Sequence, residues 1–345
     1  MRTSSSVTKR LAVALAALSI VSGAANAQDK AVEVDKNIPA YQPAPGVSGS
    51  LKSIGSDSMN NLMALWAEGF KKFYPNVTIE VEGKGSSTAP PALIAGTAQI
   101  GPMSRAMKNT EIAEFEKQFN YKPTEIRTAL DALAVYVNKD NPVPSLSLPQ
   151  VDAIFSKTRK GAYKEDIGTW GQVGLTGDWA TKPISLYGRN SASGTYGYFK
   201  EHALYKGDFK DSVKEQPGSS SVVQGCTTDK YGIGYSGIGY KTSGVRAVPL
   251  AEKDGGPVFE ASLENVYAGK YPLGRFLYVY VNVPPGKPLD PLVKEFVKFI
   301  QSREGQEVVI KDGYLPLVAK IVETERQKLE TAQSKPPGPP PAASE

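Results

Sequence analysis

The sequence predicts an α/β protein of two lobes, and three observations carry that prediction. At 345 residues with 40% hydrophobic content, the chain is long enough to build more than one core. Short apolar runs alternate with segments whose apolar residues recur at three- and four-residue spacing, the pattern of strands covered by helices. Two apolar runs, 132–138 and 275–282, end in the similar phrases "VYVNKDNPVP" and "VYVNVPPGKP". Two readings of these phrases stand: hinge strands by which the chain leaves one lobe and later returns to it, or two ordinary core strands.

In chain order, Arg2, Lys9 and Arg10 precede the apolar stretch Leu11 to Val21, and Ala25-Asn26-Ala27 offers small residues for cleavage. Residues 1–27 therefore read as a secretory signal that is removed, which places the mature chain in the periplasm. The stretch is too short to span a membrane, and no cysteine follows it to carry a lipid anchor. Its three basic residues have no acidic counterpart, so their loss takes the formal charge from +5 to +2. So small a balance argues against nucleic acid as a partner.

Residues 28–48 lack periodicity and read as a loose arm. A helix follows with Met59, Leu62, Met63, Trp66, Phe70 and Phe73 on one face, then the strand "VTIEVEG" at 77–83. Further strands are expected at 132–138, 183–189, 232–237 and 275–282, with helices near 195–205 and 290–310. The C-terminal "SKPPGPPPAASE" cannot pack a core. The expected division is residues 49–137 with 251–322 as lobe 1, 138–250 as lobe 2, and 323–345 as a Pro-rich tail.

Four segments place glycine with serine or threonine ahead of a helical pattern: "GSDSM" (55–59), "GKGSSTAPPAL" (83–93), "GRNSASGTYGYF" (188–199) and "GSSSVV" (218–223). Any one of them is an ordinary helix cap. Together they offer several helix N-termini, each with unpaired N–H groups and a partial positive charge of about half an elementary unit. Aimed at one cleft, these ends would hold an anion, and Arg189 would add a planar fork for two of its oxygens. No Gly-x-x-x-x-Gly-Lys-Ser/Thr spacing occurs, so a free anion suits the loops better than a nucleotide. Cys226 and His202 are the lone residues of their types, which disfavours disulfide, zinc and Ser-His-Asp chemistry. No cofactor, metal site or catalytic residue is expected.

Read in order, residues 55–108, then "GRNSASGTYGYF", then "YGIGYSGIGY" resemble the PstS-like family, the periplasmic phosphate-binding proteins of bacterial phosphate ABC transporters. The resemblance covers roughly residues 50–318. It implies a two-lobed type II periplasmic-binding-protein fold that closes on inorganic phosphate and delivers it to a membrane ABC permease. It places the family's ligand contacts on Asp57, Ser58, Ser86, Arg189, Ser193, Gly194 and Thr195. Such a protein is expected to act as a monomer.

Two positions depart from the family. Where well-known members carry a carboxylate that accepts the phosphate proton, this chain has Ser104, followed by Arg105. A second carboxylate beside the arginine is replaced by Ser191. Phosphate near neutral pH keeps a proton that sulfate lacks, so a buried acceptor discriminates between them. Asp57 is the one acid inside the donor loops, and it reads either as the displaced acceptor or as a helix cap. Arg105 reads as a second cation for the anion or for Asp57, or as a surface arginine. Ser219, Ser220 and Ser221 read as a helix cap or a further ligand contact, with Ser221 placed among the candidates. Alternatives to phosphate uptake are another tetrahedral oxyanion such as sulfate or molybdate, a scavenger or adhesin that kept the fold, and a secreted phosphatase or esterase using Ser193 as nucleophile.

Overall fold

The computed structural model of the protein describes residues 32–334. The expected signal segment 1–27 and the Pro-rich residues 335–345 lie outside them. Among the described residues, no helix is long and apolar enough to cross a membrane.

The chain opens with β1 (Ser50–Ile54), a 3₁₀ turn Asp57–Met59, α1 (Asn60–Lys71) and β2 (Thr78–Glu82), which pairs in parallel with β1. A second 3₁₀ turn, Ser86–Thr88, leads into α2 (Ala89–Ile94), β3 (Gly101–Met103), α3 (Asn109–Phe119) and the long β4 (Thr124–Asn138). Next come β5 (Leu146–Ser147), α4 (Leu148–Phe155), β6 (Ser185–Arg189), α5 (Gly194–His202), β7 (Lys214–Gln216) and α6 (Ser219–Thr228). Then follow β8 (Gly232–Gly237), β9 (Val245–Ala247), β10 (Leu250–Ala251) and β11 (Val258–Phe259). The chain returns through α7 (Leu263–Tyr267), β12 (Gly274–Val281), α8 (Pro291–Ile300), α9 (Arg303–Lys311) and α10 (Ala319–Ser334).

One sheet joins the two halves in the order β3-β12-β4-β8-β6-β7, with β9 also on β4. β4 is shared between them. Its residues Thr124 to Ala132 pair antiparallel with β12, and Leu133 to Val137 pair antiparallel with β8. The partner changes between Ala132 and Leu133, earlier than the expected boundary after residue 137. On the return, β10 still pairs with β5, so second-half pairing extends past residue 250. β4 is buried from Thr128 through Asn138, as a strand covered on both faces must be. Its first half is absent from the sequence expectation because Glu125, Arg127 and Asp131 break up the apolar run.

Each half has its own core. In the first, Leu62, Met63, Trp66 and Phe70 of α1 pack with Phe296, Phe299 and Ile300 of α8 and with Leu277 and Val279 of β12. Burying each such side chain contributes about 1.5–3 kcal/mol. The Trp66 indole N–H donates to the Gly305 carbonyl at 2.8 Å, so its one polar atom is satisfied. In the second, Phe199 stacks on Tyr235 with ring centroids 3.9 Å apart, amid Val135, Val151, Phe155 and Ile233.

Three expectations change. Residues 290–310 form two helices, because α8 stops at Ile300 and the Ser302 hydroxyl caps α9 by accepting from Gly305 N at 3.2 Å. Residues 323–334 are not tail but most of α10, whose Val322, Glu325 and Leu329 are buried at helical spacing. Residues 32–48 of the arm are packed: Ile38 and Tyr41 are buried, and Asp35 Oδ2 accepts from Ala319 N at 2.9 Å, at the start of α10. An extended strap anchored by two apolar side chains has no periodicity for a sequence pattern to show.

Candidate anion-binding site

The four glycine-hydroxyl loops meet where the halves face each other. Two supply 3₁₀ turns, at Asp57–Met59 and Ser86–Thr88, and two supply the first turns of α5 and α6. Ser58 Oγ lies 2.6 Å from Thr195 Oγ1 and 3.5 Å from Ser219 Oγ, and Ser86 Oγ lies 3.3 Å from Ser104 Oγ. Ser104 Oγ is also 3.5 Å from Thr195 Oγ1. All five of these hydroxyl residues are buried.

Close approach depends on glycine. A Cβ at Gly194 would stand 2.1 Å from Ser86 Oγ and 2.7 Å from Ser104 Oγ, so any larger residue would push α5 away from the first half. Gly85 adopts φ +115°, a left-handed conformation that favours glycine, and lets Ser87 N donate to the Ala192 carbonyl at 3.1 Å.

Backbone donors orient several hydroxyls. Ser86 Oγ accepts from Ser104 N at 3.0 Å, and Ser193 Oγ caps α5 by accepting from Tyr196 N at 3.2 Å. With an acceptor position filled, each of these hydroxyls keeps its proton for another partner. Arg189, 2% exposed, donates through Nη1 to Ser219 Oγ at 2.8 Å and forms an ion pair with Asp57 Oδ2 at 2.9 Å. Its Nε has no hydrogen-bond partner among the described residues.

Asp57 caps a helix, but not its own. Its Oδ2 accepts from Ser219 N and Ser219 Oγ, both at 2.9 Å, so it closes the N-terminus of α6 from the opposite half. Oδ1 receives no hydrogen bond among the described residues and is free to accept one. Tyr240 donates to the Asp57 carbonyl at 2.9 Å, and burial pushes its phenol well up, so it stays a neutral donor. Beside it, an open pocket of about 550 Å³ is lined by Asp57, Asn61, Tyr240, Lys241 and Asp312. Burial pushes the Asp312 carboxyl up to about 6.

Not every expected residue joins the cluster. Arg105 turns away: its guanidinium holds Glu111 through two bonds of 2.8 and 2.7 Å and Ser87 Oγ at 3.0 Å, so it neither reaches the hydroxyls nor neutralises Asp57. Ser221 makes none of the cluster's hydrogen bonds, and Ser219, two residues earlier, takes that place. Ser191 is exposed and adds no acceptor.

Two residues were missed. Arg275, at the start of β12, donates through Nη2 to Thr195 Oγ1 at 3.0 Å and pairs with Asp131 of β4. A sequence signal for them exists: the twin phrases extend back to "DALAVYVN" and "RFLYVYVN", each opening on one charge, of opposite sign.

A model of the PBP superfamily domain matches residues 40–304. The phosphate-binding protein PstS of Pseudomonas aeruginosa is 57% identical over 309 residues, covering 90% of this chain and 96% of that protein. PstS of Staphylococcus haemolyticus is 30% identical and covers 84% of this chain and 88% of its own length. Among solved structures, a Clostridium perfringens protein with bound phosphate, described as a candidate phosphate ABC transporter substrate-binding protein, aligns with a TM-score of 0.66 at 27% identity, covering 78% of this chain and all of that one. An ABC-type phosphate transport receptor from Vibrio cholerae, 23% identical with a TM-score of 0.59, covers 77% of this chain and all of its own and shares the two-lobed fold. With a family model over most of its length and relatives this similar from end to end, the chain belongs to the PstS family of phosphate-binding proteins within the PBP superfamily.

Proposed function

We propose that this protein captures inorganic phosphate between its lobes and delivers it to a membrane ABC permease, with no bond made or broken. The observation that carries the reading is the convergence of Ser58, Ser86, Ser104, Thr195, Ser219 and Arg189 from both halves onto one buried point. An anion there would exchange water for charge-assisted hydrogen bonds, each contributing about 1.5–3 kcal/mol net. The division into lobes that supports it follows the partner change in β4, with β4 and β12 as the hinge strands. Relatives named as phosphate-binding proteins support the ligand.

Titration calorimetry with phosphate and sulfate tests the proposal. Phosphate should bind more tightly than sulfate, and failure to bind phosphate would overturn it. A second reading, another tetrahedral oxyanion, is favoured by one observation: Asp57 is the only acid among the four loops, and one of its oxygens is already engaged by two Ser219 donors and the Arg189 guanidinium. Hydrolysis has no such support. Ser193 caps α5, and His202 packs against the tilted ring of Tyr198 at the other end of that helix, where burial lowers its pKa. We also assign the protein to the periplasm as a monomer, with no nucleic-acid partner and no cofactor.

A further inference from the structure

Arg275 and Asp131 are register partners in the β12–β4 ladder, beside the step where β4 changes partner from β12 to β8. Both are buried, at 4% and 0% exposure, where a charge persists only if paired. Arg275 Nε donates to Asp131 Oδ2 at 2.8 Å, and Nη2 forms an ion pair with the same oxygen at 2.7 Å. The remaining contacts run in three directions. Asp131 Oδ1 accepts from Ile238 N at 2.9 Å, just after β8. Arg275 Nη1 donates to the Ser104 carbonyl at 2.9 Å, just after β3, and Nη2 donates to Thr195 Oγ1 at 3.0 Å, in the first turn of α5. α5 grips the same point a second time: the Tyr198 ring faces the guanidinium at 5.4 Å, and its hydroxyl donates to the Gly274 carbonyl at 2.8 Å.

A guanidinium can only donate. Arg275 therefore fills an acceptor position of Thr195 and leaves the Thr195 proton for the other side, toward Ser58 Oγ at 2.6 Å or toward an oxyanion held between them. The same guanidinium is tied to both hinge strands. We propose that Arg275 is a positioning residue for the anion: it fixes Thr195 as a donor and, with Asp131, couples the hydroxyl cluster to the hinge. This proposal rests on the phosphate-binding reading. Rotation about the step between Ala132 and Leu133 moves α5 against β12, so the Arg275–Thr195 bond holds over a narrow range of lobe angles. An anion gripped by Thr195 stabilises that range.

The test is a double-mutant cycle on the full chain, titrated with inorganic phosphate: wild type, Arg275→Lys, Thr195→Val and the double variant. Lysine keeps a charge for Asp131 but cannot reach Asp131, Ser104 and Thr195 together. Each single change should weaken phosphate binding by about tenfold or more, and the double variant should lie within about twofold of the weaker single variant. Losses that multiply, or an Arg275→Lys variant that binds like wild type, would overturn the proposal. Phosphate-induced compaction by small-angle scattering should shrink in Arg275→Lys at saturating phosphate, and undiminished compaction would count against the coupling to the hinge. Should Arg275→Lys not fold, the neutral pair Asp131→Asn with Arg275→Gln replaces it in the cycle under the same expectations. A wild type that ignores phosphate defeats the functional reading instead, so the two failures are distinguishable.

Discussion

Two aspartate–arginine pairs flank the cleft, and they use the same chemistry in different surroundings. In Asp57–Arg189 the carboxylate side chain is 23% exposed and the pair spans the two halves through one bond of 2.9 Å. In Asp131–Arg275 the side chains are 0% and 2% exposed, and two guanidinium nitrogens reach one carboxylate oxygen. The first pair can trade partners, because water reaches its carboxylate. The second cannot, because separating it would leave charges stranded in a dry interior. An interlobe site needs both kinds, one whose bonds reorganise around the ligand and one that keeps its geometry while they do.

The largest effect expected from breaking this contrast is at Asp131. Asp131→Asn should lower unfolding stability by about 3–5 kcal/mol in urea titrations, since it leaves Arg275 without its buried counter-charge. At the other pair, Arg189→Ala should weaken phosphate binding by about 10- to 100-fold in calorimetry while costing clearly less stability than Asp131→Asn. Equal stability losses at the two sites would erase the distinction. A finer probe is Asp57→Asn, which should lower the ratio of phosphate to sulfate affinity by about tenfold if Asp57 Oδ1 accepts the phosphate proton. An unchanged ratio would remove Asp57 from that role.

The smallest expected effect concerns Asp312. Burial pushes its folded-state carboxyl up to about 6 from an ordinary 3.8, so the folded protein binds more protons than the unfolded chain between those values. Stability from this group is present at low pH and declines as pH rises toward 6. Asp312→Asn should flatten that decline and gain about 1 kcal/mol at pH 7, after allowance for partial exposure. Thermal melts at pH 4 and pH 7 would measure it.

Much of the first pair was legible in the sequence and little of the second. The glycine-hydroxyl loops are local signals, since capping chemistry and a glycine at a close approach belong to a few neighbouring residues. Asp57, Ser58, Ser86, Arg189 and Thr195 lie inside those loops, where the family resemblance singles them out, whereas Ser104 lies outside them and is reached through that resemblance alone. The Asp131–Arg275 pair depends on two strands 144 positions apart coming into register, and each residue alone interrupts an apolar run. Arg105 misled for a related reason: its proximity to Ser104 along the chain says nothing of Glu111, in the first turn of α3, which claims it. The packed arm and α10 were misjudged because one is extended and the other lies beside a Pro-rich end.

The pairing of β4 with β12 also constrains how the molecule comes into being. Thr124 is the register partner of Val281, so the first half cannot complete its sheet until the entire second half has been synthesised. Contacts of such long sequence separation slow folding, because the ends of a long loop must meet before any bond rewards them. Ile38 packs in the same core as Leu315 and Leu317, which postpones final consolidation to the last part of the chain. In a protein assembled this way the contiguous second half can pair β4, β8 and β6 early, while the first half waits for β12 to close its sheet.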